Sequence, residues 1–200
     1  MTRKTGKLVF ATNNSHKLHE LRSILPAHIQ LLSLADIDCH TDIPETGETL
    51  EENSLQKARF IHDLCGMDCI ADDTGLEVNA LDGAPGVYSA RYAGDGHDSK
   101  ANMELLLRNM ATHTDRSARF RTVITLVTDD EVHAFEGIVT GKIATEPAGD
   151  SGFGYDPVFI PTGWDMTFAQ APESRKNAIS HRAVASHRLV EFLNSAHDRH

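Results

Sequence analysis

"KLVFATNNSHKLHELRSIL", residues 7–25, decides the fold class. The apolar run "LVFA" reads as a buried strand, and it ends in Thr-Asn-Asn. Beyond it Leu18, Leu21 and Leu25 recur at helical spacing, with Asn14 or Ser15 placed to cap the helix and Pro26 to end it. A strand, a short polar loop and an amphipathic helix make a strand–loop–helix unit, the signature of a mixed α/β domain.

Working outward, the pattern repeats with variations. In "IPETGETLEENSLQKARFIHDLCG" Thr49 and Glu52 form a capping box. Leu50, Ala58, Ile61 and Cys65 share a face, and Gly66 stops the helix. "CIADDTG" reads as a short strand running into a carboxylate-bearing turn. "SKANMELLLRNM" supplies a third helix through Leu105, Leu106 and Met110. "FRTVITLVTDDEVHAFEGIVTG" reads as two strands across a turn at Asp129–Asp130. "ISHRAVASHRLVEFLNSA" is an amphipathic helix capped by Ser180, with Ala185, Leu189, Phe192 and Ala196 inward. There is no repeat, no low-complexity linker and no break in composition, so residues 1–200 are expected to form one domain.

Composition sets the outer limits. The chain has 200 residues, 40% of them hydrophobic and 24% charged, as expected of a globular protein with a proper core. No apolar run is long enough to cross a membrane, and the basic N-terminus lacks the apolar stretch of a secretory signal. Cys39, Cys65 and Cys69 are odd in number and form no CxxC pair, which suits a reducing cytoplasm. A net charge of −10 argues against general nucleic-acid binding, but not against a small anion held by a few local cations. The 12 histidines show no metal-ligand spacing and most of them are expected at the surface, and the tail "SAHDRH" is expected to fray.

Four stretches carry candidate chemistry. "TNNSHK" (Thr12, Asn13, Asn14, Ser15, His16, Lys17) joins a strand to a helix N-terminus, where backbone N–H groups and the dipole favour an anion. A capped junction with a surface lysine would look the same. The chain has neither GxxxxGK[ST] nor GxGxxG. Glu45, Glu48, Glu51 and Glu52 gather at the start of the second helix, where the dipole alone would favour them. Asp72 and Asp73 end a strand. Asp73 with Glu45 suits Mg²⁺, which takes one or two carboxylates plus phosphate oxygens and water. Lys57, four residues after Asn53 and on its side of the helix, adds a second cation. In "RKNAISHR", Lys176, His181 and Arg182 sit at the dipole end that disfavours cations, so they read either as a basic turn or as donors to a ligand. "SGFGYDP" (151–157) is too rich in glycine and proline for a helix or a central strand. It reads as a turn over the core, or as a shelf on which Phe153 stacks a flat ligand.

Taken together and in order, "FATNNSHKLHEL", "ETGETLEENSLQKA", "IADDTGLEVNALDGAPGVYSARYAG", "EPAGDSGFGYDPVFIP" and "KNAISHRAVA" resemble the inosine/xanthosine triphosphate pyrophosphatases. The match spans residues 8–185 and departs mainly at Thr74, where serine is common. The resemblance implies an elongated α/β fold, a mixed central sheet with flanking helices, and an active-site cleft between two lobes. It implies a Mg²⁺-dependent homodimer that splits non-standard purine triphosphates such as ITP, dITP and XTP into monophosphate and pyrophosphate. It also implies roles. Asp73 is metal ligand and proton acceptor, and Glu45 is the second ligand. Thr12, Asn14 and Lys17 bind phosphates, and Thr74 contacts substrate. Phe153, Gly154, Tyr155 and Asp156 form the nucleoside loop, completed by Lys176, His181 and Arg182. The alternatives are a nucleotide sensor without turnover and an enzyme that removes the γ-phosphate. Arg91, in the Gly-rich stretch 83–94, is left unassigned.

Overall fold

The computed structural model describes residues 6–197, apart from the side chains of Ala196 and His197. The expected inward Ala196, and part of the readings made for the N-terminus and the tail, lie outside the described residues. The chain runs through β1 (Lys7–Phe10), α1 (Ser15–Ile24), β2 (Gln30–Leu32), α2 (Leu50–Cys65), β3 (Cys69–Val78) and β4 (Pro85–Gly86). It continues through α3 (Ser99–Met110), β5 (Ser117–Val127), β6 (Val132–Ile143), β7 (Phe159–Pro161), α4 (Glu173–Ile179) and α5 (His181–His197). The strands form one mixed sheet in the order β2-β1-β3-β5-β6-β7, with β4 beside β3. β1 is parallel to β2 and β3, while β4 and β7 are antiparallel to their neighbours.

Contacts divide the chain into two units. The first holds the described residues up to Asp73, Val123–Glu136 and the helix residues from Ala185; the second holds Thr74–Thr122 and Gly137–Val184.

In the first unit, strand alternation sorts the side chains onto two faces. Leu8, Phe10, Ile70, Ile124 and Leu126 pack with Leu18 and Leu21 of α1 and Ala185 and Leu189 of α5. Val9, Ala11, Cys69, Ala71 and Val127 pack with Ala58 and Ile61 of α2. α2 begins at the Thr49–Glu52 capping box and ends at Gly66, whose φ of 63° is left-handed, so both sequence signals hold. A buried hydroxyl pair, Ser54 Oγ to Thr125 Oγ1 at 2.6 Å, ties α2 to β5.

In the second unit, Leu106 and Met110 of α3 meet Leu76, Val78, Phe120, Val139, Ile143, Phe159 and Phe168. The Arg116 guanidinium donates to the carbonyls of Ile143 at 2.6 Å and Ala144 at 2.7 Å, closing the end of β6.

Two expectations are corrected. β3 does not stop in a turn at Asp72–Asp73 but runs on to Val78, because Leu76 and Val78 continue an apolar alternation that the core takes up. Gly75 allows it: a Cβ there would strike the Gly86 carbonyl carbon at 2.9 Å, so only glycine lets β4 lie alongside. The basic stretch before the last helix is itself helical, and α4 carries Lys176. Ser180 then caps α5, its hydroxyl accepting from Ala183 N–H at 3.1 Å.

Candidate functional site

The site residues of the first unit follow from the two faces of β3. Asp72 falls on the face that packs against α1, Asp73 on the face that packs against α2. Each therefore meets a different lysine. Lys17 Nζ donates to Asp72 Oδ2 at 2.6 Å, and Asp72 is only 3% exposed. Lys57 Nζ donates to Glu45 Oε1 at 2.8 Å and lies 3.8 Å from Asp73 Oδ1. Burial is the largest influence on Lys57 and pushes its pKa down. The charges of Asp73 and Asp72, with the bond from Glu45, outweigh it and hold the pKa above the ordinary 10.5. Lys57 is therefore a fixed cation at neutral pH.

The structure thus brings Glu45 and Asp73, the two expected metal ligands, to one ammonium. Among the described residues no group of three or more His, Cys, Asp or Glu side chains is placed to hold a metal. Two carboxylates without a third suit a hard cation that takes its remaining ligands from phosphate and water, and do not suit a structural cage. Of the neighbouring glutamates, Glu52 is spent on the capping box.

At the loop before α1, Asn14 is the cap. Its Oδ1 accepts from the N–H groups of His16 at 3.0 Å and Lys17 at 3.3 Å, and Thr12 Oγ1 accepts from Asn14 N–H at 3.2 Å. Two amides expected for an anion are therefore satisfied by Asn14. Asn13, Asn14, Ser15 and His16 are exposed.

The second unit holds the remaining candidates. In "SGFGYDP" Gly152 and Gly154 take left-handed φ values of 79° and 61°. Asp156 is the loop's pin: its Oδ2 accepts from Phe153 N–H at 2.9 Å and from Lys176 Nζ at 2.5 Å. Lys176 Nζ also sits 4.7 Å from the centre of the Phe153 ring, a cation–π contact. Phe153 is 66% exposed, an unusual place for a phenylalanine unless something covers its ring. Tyr155 departs from its expected place in a binding loop. It is a core residue, its hydroxyl donates to the Ser89 carbonyl at 2.7 Å, and burial followed by the neighbouring Tyr92 drives its pKa up. His181 is buried and stacks on Phe120 with ring centres 4.9 Å apart. Arg182 is half-buried next to it. The Thr74 hydroxyl bonds Thr122 Oγ1 at 2.7 Å.

Three residues carry no role in the sequence reading. Asp72 reads only as the end of a strand, although a continuous β3 places it opposite Asp73. Asn53 is noted only for sharing a helix side with Lys57, and Gln56 gives no signal, because their partners lie in the irregular segment before α2.

A profile of the Ham1 family matches residues 8–192. A dITP/XTP pyrophosphatase of Christiangramia forsetii is 51% identical over 94% of this chain and 99% of its own. One from Porphyromonas gingivalis is 53% identical, covering 94% and 97%. Among solved structures, the Staphylococcus aureus Ham1 protein superposes with a TM-score of 0.91 at 40% identity, covering 95% of this chain and 99% of that one.

Proposed function

The chain belongs to the Ham1 family, and from that premise we propose that it hydrolyses ITP, dITP and XTP to the monophosphate and pyrophosphate. The reaction removes deaminated purines from the nucleotide pool. The geometric observation that carries this reading is the placement of Glu45 and Asp73 against Lys57, two carboxylates and one cation in one corner.

Glu45, Asp73, Lys57 and Lys17 are the groups for the triphosphate. Glu45 and Asp73 would hold Mg²⁺, which when bound supplies charge neutralisation at the phosphate oxygens. Water attacks the α-phosphorus, the bond from that phosphorus to the bridging oxygen breaks, and pyrophosphate leaves with the electron pair. Asp73 accepts the proton of the attacking water. Lys57, held charged by its neighbours, stands beside Glu45 and Asp73 and balances phosphate charge. Lys17, anchored by Asp72, is the second phosphate cation, with Thr12 and Asn14 as donors.

Phe153, Asp156, Lys176, His181 and Arg182 are the groups for the base. Phe153 is the stacking shelf, Asp156 and Lys176 fix it, and Thr74 contacts the substrate. His181 and Arg182 offer donors to the O6 acceptor of hypoxanthine or xanthine. Adenine puts an N6 donor there, so donors would face donors, a mismatch that can reject a substrate by ~10⁴-fold. The working protein is a Mg²⁺-dependent homodimer of the cytoplasm.

The test is product analysis. ITP, dITP, XTP, GTP and ATP are incubated with the protein, with and without MgCl₂, and pyrophosphate and orthophosphate are counted. The expected result is one pyrophosphate per IMP, dIMP or XMP, only with Mg²⁺, and slow or no release from ATP. Orthophosphate with a diphosphate product would make the protein a γ-phosphatase, and binding of ITP without release over hours would make it a sensor.

A further inference from the structure

Glu45 stands on a stretch with no regular structure, yet its carboxylate meets Lys57 at 2.8 Å. What holds it there is the segment that follows. Each residue from Thr46 to Thr49 is bonded to a side chain of α2. Thr46 N–H donates to Gln56 Oε1 at 2.9 Å, and Gln56 Nε2 donates back to Thr46 Oγ1 at 2.9 Å. Gly47 N–H donates to Asn53 Oδ1 at 2.7 Å. Glu48 N–H and Thr49 N–H both donate to Glu52 Oε2, at 2.6 and 3.2 Å. Read from 49 back to 45, the segment is fastened in turn to residues 52, 53, 56 and 57, two adjacent pairs one helical turn (i, i+4) apart.

The contact is close. A Cβ on Gly47 would lie 2.6 Å from Glu52 Cβ and 2.8 Å from Asn53 Oδ1, so the strap lies on the helix with no room for a side chain. Asn53 is a costly residue to place there. It is 1% exposed, and its Nδ2 has no hydrogen-bond partner among the described residues. A buried donor left unmade is unfavourable, and an apolar residue of the same size would avoid it. What the apolar residue could not do is accept the Gly47 N–H. Gln56 is half-buried and grips an exposed threonine through two bonds, again by its polar end only.

We propose that Asn53 and Gln56 are positioning residues that set the protein's affinity for the divalent cation by holding the Glu45 strap on α2. The inference rests on the assignment of Glu45 as a metal ligand. Its chemistry is that of an outer shell: the two amides touch neither cation nor substrate, but fix where a carboxylate stands before the cation arrives. Glu45 keeps 40% of its side-chain surface exposed, and among the described residues it is Lys57 that its carboxylate meets, so without the strap it would sample many rotamers.

The experiment is a double-mutant cycle read by Mn²⁺ binding to the nucleotide-free protein, using electron paramagnetic resonance. The variants are Asn53→Ala, Gln56→Ala, Glu45→Gln and the two combinations with Glu45→Gln. Gln56→Ala removes only half-buried contacts and serves if Asn53→Ala folds poorly. Amide exchange of residues 46–49 in metal-free protein reports whether the strap has lifted. The expected result is faster exchange in both single variants, with the Mn²⁺ dissociation constant raised ~10-fold or more, the usual consequence of losing an outer-shell partner. In the Glu45→Gln background the same changes should leave Mn²⁺ binding unaltered, because the carboxylate they position is gone. Equal losses in both backgrounds, or a lifted strap with unchanged Mn²⁺ affinity, would overturn the proposal while leaving the metal reading intact. A Glu45→Gln variant that binds Mn²⁺ like the parent removes Glu45 from the metal site, and the proposal falls with it.

Discussion

Asp73 faces α2 with 15% of its side-chain surface exposed and its Oδ1 3.8 Å from Lys57 Nζ. Asparagine keeps its shape and removes both its charge and its capacity to accept a proton. Asp73→Asn should fold, since β3 is held by its apolar neighbours, and should lower kcat for pyrophosphate release by ~10²–10⁴. Near-normal turnover would exclude Asp73 as the base. Tyr155 makes a different kind of prediction, about stability. Its phenol is buried and bonded to the Ser89 carbonyl, so Tyr155→Phe should cost about 1 kcal/mol at neutral pH. The sign of the pH effect follows from the raised folded pKa. Above the ordinary value of 10.0 the unfolded tyrosine loses its proton while the folded one keeps it, so the unfolded state binds fewer protons and stability falls as pH rises. Phenylalanine has no such proton. The stability gap between parent and variant, measured by urea unfolding, should therefore narrow as pH climbs past 10.0; a gap constant with pH would mean that Tyr155 is not protected from ionisation.

At the scale of elements, the long pieces were legible in the sequence and the short ones were not. α2 announced both ends, through Thr49 with Glu52 and through Gly66, and the turn between β5 and β6 falls at Asp129–Asp130 as the charge pair indicated. β2 and β7 have three residues each, too few for alternation to register, and exist because a neighbouring strand offers its edge. β3 was cut short because two adjacent aspartates look like a turn when the partner strands are unknown. The strap on α2 was invisible for a related reason: Asn53 and Gln56 read as ordinary helix polars until the fold brings residues 46 and 47 to them. The loop at 151–157 ties an element's shape to the role proposed for it. Gly152 is left-handed at φ 79°, and an added Cβ would collide with the Asp156 carboxylate, 2.9 Å from its Cγ. That carboxylate holds both Phe153 N–H and Lys176. Gly152→Ala should therefore displace the shelf and lower kcat/KM for ITP by up to ~10²-fold, the scale of a misplaced binding group. Mn²⁺ affinity should not change, since the ligands proposed for it, Glu45 and Asp73, are not part of this loop. Gly163→Ala is the control: φ is 81° but nothing lies within 4 Å of the new Cβ, so it carries backbone strain alone. If both variants lose activity equally, the loop's geometry is not what matters.

Over the whole molecule the decisive quantity is charge. The protein carries −10, and its proposed substrate is itself a polyanion. The cations that would receive it are held singly and locally: Lys17 on Asp72, Lys57 on Glu45 and Asp73, Lys176 on Asp156. A lysine paired in this way can serve one phosphate group brought to it with a metal ion, but it is no part of a track of open positive charge. Binding to a nucleic-acid backbone depends on such a track, because its affinity comes from many Lys and Arg contacts that release counterions. The same deaminated bases therefore lie within reach as free nucleotides and out of reach once polymerised. We expect a fluorescent single-stranded oligonucleotide containing hypoxanthine to show no anisotropy change with protein up to ~100 µM at 100 mM KCl, the weak limit of non-specific binding. The same oligonucleotide should neither compete with ITP hydrolysis nor lose its hypoxanthine nucleotide on long incubation. A saturable isotherm that weakens steeply with added salt would reveal a cationic surface that these paired lysines do not provide, and would move the point of action from the nucleotide pool to the strand.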